Sequence, residues 1–315
     1  MCVGFSIMGQ GFGWLHPSSL SCIIWAFAMR SIKPNAIVHE CVPGASPAVL
    51  QDLLGPEFKV SSTCFSPTDQ GVPTTRPRRY SIAHLKEKYP GIVELDFDVF
   101  RTLTFRRLIV DGNIYFTMPG RYVQAAFEHS IDAGVLRASI HGPPSATALH
   151  HSKRFCWDDF LSTTERARLG QYRGLLAADF NGCGHKVHFV QISQNSDWFS
   201  DVSSLIPTLM RSSVVWRIVP TVRYHADGSP DPLSFDERFD RPLLPEEYLA
   251  AQGMPVPVLV PSGHPMGDGR CTLSKVFQSG MCTASQYRQL VGNAMHVCSV
   301  GSVLLFALMS LPKDP

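Results

Sequence analysis

Apolar residues recur at helical spacing near the start of the chain. Leu20, Ile23, Ile24 and Phe27 follow a Pro-Ser-Ser start and predict a helix, which must stop by Lys33-Pro34 because a proline pushes the preceding residue out of the α region. "NAIVHECV" follows as a short, nearly continuous apolar run, the pattern of a buried parallel strand. Ser46-Pro47 predicts an N-cap and a first-turn proline, with Leu50, Leu53 and Leu54 inward and Gly55 closing the helix. Phe58, Val60 and Ser62 alternate into another strand, and "RRYSIAHL" predicts one more. Strands alternating with helices in this order predict an α/β fold with a doubly wound sheet.

From about residue 90 to 240 the texture changes to longer, Ser/Pro/Gly-rich connections. "RLIVDGNIYF" predicts a hairpin, with Asp111-Gly112 between two β-prone runs. "HGPPSATALHHSK" reads as a loop and "WDDFLSTTERARLGQYRGLLAADF" as an amphipathic helix. No internal repeat is visible. The pattern divides the chain into 1–90, an irregular inserted lobe over 91–240, and a closing segment over 241–315 that packs back on the first.

Composition narrows the class. The 315 residues are 44% hydrophobic and 17% charged, which is globular material. With 28 basic against 26 acidic residues the formal net charge is +2, so any contact with nucleic acid must come from local clusters rather than a global field. Nine cysteines without a CxxC pair favour reduced thiols inside a cell. No basic region precedes the first apolar stretch, which predicts no signal peptide. The apolar runs 18–29 and 297–311 are shorter than the ~20 residues of a bilayer span and predict buried helices rather than a membrane anchor.

Three places carry candidate chemistry. Glu40 stands at the end of the first strand, where α/β sheets open their ligand crevice. In "GVPTTRPRRY", Arg76 and Arg78 are two residues apart, so in an extended segment both project from one face as a fork for phosphate or carbonyl oxygens. "NGCGHKVH" offers Cys183, His185 and His188, but three such residues without a second cluster read as a loop rather than a zinc site, and no metal is expected.

Five segments, in order and spread over nearly the whole chain, resemble the cytosine-C5 DNA methyltransferases. "CVGFSIMG" is similar to the family's PCxxFSxxG loop through Cys2, Phe5, Ser6 and Gly9, "ECVPG" to its ENV motif, and "GVPTTRPRRY" to its GVPQxRxR segment. "RPLLPEEYLAAQGMPV" resembles RxLTxxExxxLQGFP, with Arg241, Glu247, Gln252 and Gly253 in register, and "QYRQLVGNAMHV" resembles the closing RxxxGNAV motif through Gly292 and Asn293.

The resemblance implies a partial, Rossmann-like S-adenosylmethionine-dependent methyltransferase sheet over 1–90. It also implies a target-recognition lobe over 91–240 and a closing segment over 241–315. It implies Cys2 as the nucleophile that adds to C6 of a flipped-out cytosine, Glu40 as the partner of N3, and Arg78 as the contact to O2. Arg76 would support the site or neighbouring phosphates, Ser6 and Arg79 would contact DNA, and Gly292 and Asn293 would contribute to binding S-adenosyl-L-methionine, the methyl donor. Base edges would be read by the inserted lobe, with Arg106 and Arg107 adding charge.

The sequence also departs from the family. Met1 replaces the proline before the cysteine, Cys41 the asparagine of ENV, and Thr74 the glutamine before the arginines. The family's segment ahead of that cysteine, with its FxGxG loop, has no counterpart in this sequence. The expectation is therefore a methyltransferase fragment, intracellular and soluble (nuclear in a eukaryote), with DNA and the missing amino-terminal half as partners. Two alternatives stay open: a non-catalytic DNA-binding remnant, and a tRNA methyltransferase of the same superfamily, which the size of the inserted lobe disfavours.

Overall fold

A computed structural model of the chain describes residues 13–17, 19–88, 97–107, 110–116, 123, 158, 161–178, 187–194, 202–210, 213–221, 234–235, 240–254 and 284–310. The chain is α/β and divides into two compact units, Met1–Ile109 with Met295–Pro315, and Val110–Ala294.

In the first unit, α1 (Ser19–Ile32), β1 (Ala36–Cys41), α2 (Pro47–Leu54), β2 (Phe58–Phe65) and β3 (Arg78–Leu85) follow the alternation read from the sequence. The sheet order is β1-β3-β2 and both pairings are antiparallel, so β1 and β2 run parallel to each other with β3 reversed between them. The expectation of a buried parallel strand over "NAIVHECV" is corrected here. β1 has β3 as its neighbour among the described residues, and four of its six residues are only half-buried. β3, buried at its last six positions, is the central strand.

Register then sorts the side chains. Ile37 pairs with Ala83 and faces α1 and α2, joining Ala26, Leu50, Leu54, Phe58 and Leu85. Val38 pairs with Ile82 and faces the other way, onto Phe65, Tyr80, Phe97, Phe100, Val303, Phe306 and Ala307. The last five of these come from α3 (Phe97–Thr104) and from the carboxyl-terminal helix Val297–Met309. The unit is thus a sheet covered by helices on both faces, as an α/β architecture requires.

The two apolar runs form helices, but neither is buried all round. The helix α1 turns Cys22 and Ala26 to the core and leaves Leu20, Ile24 and Phe27 more than half exposed, the reverse of the stripe expected. The small residues let the helix come close to the sheet, where Trp25 stacks on His39 of β1. Helix Val297–Met309 buries Val303, Phe306 and Ala307 and exposes Leu304, Leu305 and Leu308. Residues 288–309 reach the length and apolar composition of a membrane crossing, although the chain leaves the helix at 294–296.

The second unit holds α4 (Thr163–Ala178), β4 (His188–Gln191), β5 (Val215–Ile218), a short β6 (Pro220–Thr221) paired with β7 (Ser234–Phe235), β8 (Arg241–Pro242), α5 (Pro245–Ala251) and α6 (Ala284–Asn293). The carboxyl-terminal helix of the first unit is α7. The helix read in "STTERARLGQYRGLLAA" is present. It starts at a reciprocal cap, in which the Ser162 N–H donates to Glu165 Oε2 at 2.9 Å and the Glu165 N–H to Ser162 Oγ at 3.3 Å. Leu169, Tyr172 and Leu176 bury against Val190, Trp216 and Ile218 of the sheet β4-β5-β8.

The hairpin expected at Asp111-Gly112 is not formed. Gly112–Tyr115 is a 3-10 turn, because Asp111 caps it by accepting the Asn113 N–H at 2.8 Å. Gly112 is required there for space: a Cβ would stand 2.8 Å from Ile206 and 2.9 Å from Phe189. Of the three residues weighed as metal ligands, Cys183 and His185 lie outside the described residues, and His188 is buried in β4. Among the described residues no three His, Cys, Asp or Glu side chains gather as a metal site.

Candidate functional site

Glu40 leaves β1 one residue before its end and pairs directly with Tyr80 of β3. Arg78 lies two residues before Tyr80 on the same strand face, the diagonal position that a long side chain can reach across. Its Nε meets Glu40 Oε1 at 3.2 Å, and both side chains are largely shielded, 16% and 11% exposed. The contact is an ion pair without a hydrogen bond to Oε1, and the hydrogen bond of Arg78 runs from Nη1 to the Pro77 carbonyl at 2.7 Å.

Arg76 enters the same cluster from a turn rather than a strand. Ser66 and Asp69 cap the 3-10 turn Pro67–Gln70, and Gly71 closes it in the left-handed region at φ 81°. The Arg76 N–H donates to Ser66 Oγ at 3.0 Å, so that turn sets where the arginine emerges. Its side chain is 3% exposed. Burial, and next the charge of Glu40, push the Tyr80 phenol up to about 12, while Ser299 first and then Arg76 and Arg78 pull against them. Glu40, Arg76 and Arg78 thus all act electrostatically on Tyr80, a buried hydroxyl on the α7 face of the sheet.

The amino-terminal end of α7 adds a residue that the sequence reading missed. His296 is the N-cap of α7, fully buried, and its Nδ1 accepts the Ser299 N–H at 3.4 Å. Burial first, and Arg76 second, hold its imidazole down to about 4, so it is neutral at physiological pH. Gln70 fastens this helix end to the capped turn. Its Oε1 accepts from Ser299 Oγ at 2.8 Å and its Nε2 donates to Ser302 Oγ at 2.6 Å. A histidine directly ahead of an apolar helix was the available signal for a cap.

Arg79 points to the opposite sheet face and is engaged: Nε and Nη2 both donate to the Pro43 carbonyl oxygen, at 3.1 and 3.0 Å. Arg106 and Arg107 are exposed just beyond α3. Cys2 and Ser6 lie outside the described residues.

In the second unit the segment "RPLLPEEYLAAQG" is a structural latch. Arg241 forms a two-pronged ion pair with Glu247, 2.7 Å on each side, and Glu247 Oε2 also takes the Leu244 N–H at 2.9 Å. Phe116 lies under both Arg241 and Arg217, whose guanidinium carbons stand 4.4 and 4.7 Å from its ring centre. Gln252 is fully buried and donates to the Val291 carbonyl at 3.2 Å, which holds the end of α6 carrying Gly292 and Asn293. Gly292 is half-buried and Asn293 exposed, so the asparagine amide is accessible.

No protein-family model matches the chain, and no curated protein matches it. Among solved structures, the chain is similar to the Entamoeba histolytica methyltransferase EhMeth, with 12% identity and a TM-score of 0.39 over 89% of this chain and 64% of that one. It is also similar to the S. pombe Dnmt2 methyltransferase, with 16% identity and a TM-score of 0.42 over 89% of this chain and 69% of that one. The chain thus spans about two thirds of the length of either.

Proposed function

We propose that this chain is part of a cytosine-C5 methyltransferase acting on DNA. The observation that carries the reading is the Glu40–Arg78 pair. Two segments chosen for their resemblance to that family's base-binding motifs deliver a carboxyl group and a guanidinium to one shielded spot, 3.2 Å apart.

The arrangement suits a flipped-out pyrimidine. A proton shared between Glu40 and ring N3, in balance with the one the Cys2 thiol gives up on ionising, draws electrons from the ring and makes C6 open to attack by the thiolate, the role the resemblance gives Cys2. Arg78, held by Glu40 and Pro77, can donate to the O2 carbonyl with a remaining N–H. Arg76 adds a buried positive charge beside the pair and steadies the electron-rich ring produced by addition. The shielding of Glu40 and Arg78 strengthens each of these interactions relative to water. A base stacked in a duplex cannot reach such a spot, so the target must be extruded.

S-adenosyl-L-methionine, the donor this reading implies, supplies an electrophilic methyl group when bound. The accessible Asn293 amide beside Gly292 suits its polar methionine end, and those two residues would contribute to holding it. Ser6 is proposed to touch the DNA backbone, and the inserted lobe over 91–240 to read base edges.

The test is methyl transfer from labelled donor to cytosine-containing duplex DNA and, in parallel, to tRNA. The chain is assayed joined to the amino-terminal segment of a cytosine-C5 methyltransferase. Label in DNA that is lost in Glu40→Gln supports the reading. Label confined to tRNA overturns the DNA substrate, and label that persists in Glu40→Gln overturns the site.

A further inference from the structure

Resemblance assigns Arg79 to DNA, but its side chain is committed elsewhere. We infer that Arg79 is a positioning residue for Glu40: it clamps the turn that ends β1. For its consequence this rests on the methyl-transfer reading, whereas the clamp itself does not.

The geometry is that of a fork closing on one acceptor. Arg79 sits opposite Cys41 on β1 and Cys64 on β2, in the middle of the sheet, with a stem fixed by strand pairing on both sides. From there Nε and Nη2 converge on the Pro43 carbonyl oxygen at 3.1 and 3.0 Å. Pro43 has no N–H to anchor it and belongs to a turn closed by the Ala45 N–H on the Val42 carbonyl at 3.1 Å. The proline lies three residues beyond Glu40, so its position decides how the end of β1, and with it the Glu40 carboxylate, is presented to Arg78. Arg78 and Arg79 are consecutive on β3 and project from opposite faces. One grips the carboxylate and the other grips the backbone behind it. The clamp uses two N–H groups of one rigid plane converging on a single oxygen, a geometry that a lysine ammonium does not reproduce.

Amide exchange in the 315-residue chain reads the clamp without any activity. Arg79→Ala should speed exchange at Ala45 about tenfold, the loss of one to two ordinary hydrogen bonds, and leave Ile82 and Ala83 of the central strand unchanged. Arg79→Lys should fall between. Binding of a fluorescein-labelled cytosine-containing duplex from 50 to 200 mM salt gives the second arm, with the same slope of log affinity against log salt for wild type and Arg79→Ala. In the joined enzyme Arg79→Ala should lower kcat and leave KM for the duplex unchanged. Unchanged exchange at Ala45 overturns the clamp, and a slope reduced by about one overturns it in favour of a phosphate contact. A wild-type chain that ignores the duplex sinks the DNA reading, and the exchange arm still decides the clamp.

Discussion

Arg78 and Glu40 meet at 3.2 Å across neighbouring strands, on a diagonal that the antiparallel register of β1 and β3 creates. The pair is shielded enough that removing one partner strands the other in a poorly hydrated place. Arg78→Ala should therefore destabilise the first unit by about 1–3 kcal/mol in urea titrations. The double change with Glu40→Gln should cost less than the sum of the two single changes. Additive costs would mean that the two side chains do not interact in solution.

His296 makes the stability of the first unit depend on pH. Its pKa is lowered on folding, from 6.5 to about 4, by burial and by Arg76. Between those values the unfolded chain binds a proton that the folded chain refuses. Stability is then full above pH 6.5 and falls as pH drops towards 4, by on the order of 3 kcal/mol. His296→Asn keeps an N-capping acceptor and cannot titrate, so its stability should vary less over this window. Equal pH profiles for the variant and the wild type would refute the assignment.

Asp240 is the anchor of the second unit. It is fully buried, accepts Arg173 at 2.7 and 3.2 Å, and takes the Val219 N–H at 2.8 Å. Asp240→Ala would leave the Val219 N–H without its acceptor and Arg173 with one of its two carboxylates, Asp158 at 2.8 Å, costing about 1–3 kcal/mol. Asp158→Ala should cost less, since its carboxylate is the more exposed of the two and no backbone N–H loses its acceptor, the Val219 N–H staying on Asp240. Chemical denaturation of the two variants tests the order.

Gly112→Ala should destabilise by about 1–3 kcal/mol, because the added methyl meets Ile206 and Phe189 at under 3 Å. Adding Ile206→Val should recover part of that loss in thermal melts. A Gly112→Ala variant as stable as the wild type would remove the steric account.

Much of the first unit was legible because its signals are local. Proline at Pro47 and glycine at Gly55 bracket α2, and alternation marks β2. The insertion of β3 between β1 and β2 was not legible, since strand partners are chosen by long-range packing rather than by the strand's own pattern. The face of α1 was misread for a similar reason: period alone located Leu20, Ile24 and Phe27 but could not tell that Cys22 and Ala26 were the side small enough to meet the sheet. At the candidate site, Glu40, Arg76 and Arg78 stood in readable motifs. His296 and Gln70 matter only because segments far apart in sequence come together. Arg79 looked like its neighbours in "RPRRY", and strand alternation sent it to the other face.

Covalent trapping tests the central claim most directly. The chain, joined to the amino-terminal segment of a cytosine-C5 methyltransferase, is incubated with methyl donor and a duplex bearing 5-fluorocytosine, then run on a denaturing gel. Fluorine at C5 leaves no proton to remove after thiolate addition and methylation, so elimination fails and protein stays on the DNA. The account predicts an adduct in the wild type, none in Cys2→Ser, and a much weaker one in Glu40→Gln, where ring N3 loses its proton source. An adduct that survives Cys2→Ser, or one undiminished in Glu40→Gln, would contradict it.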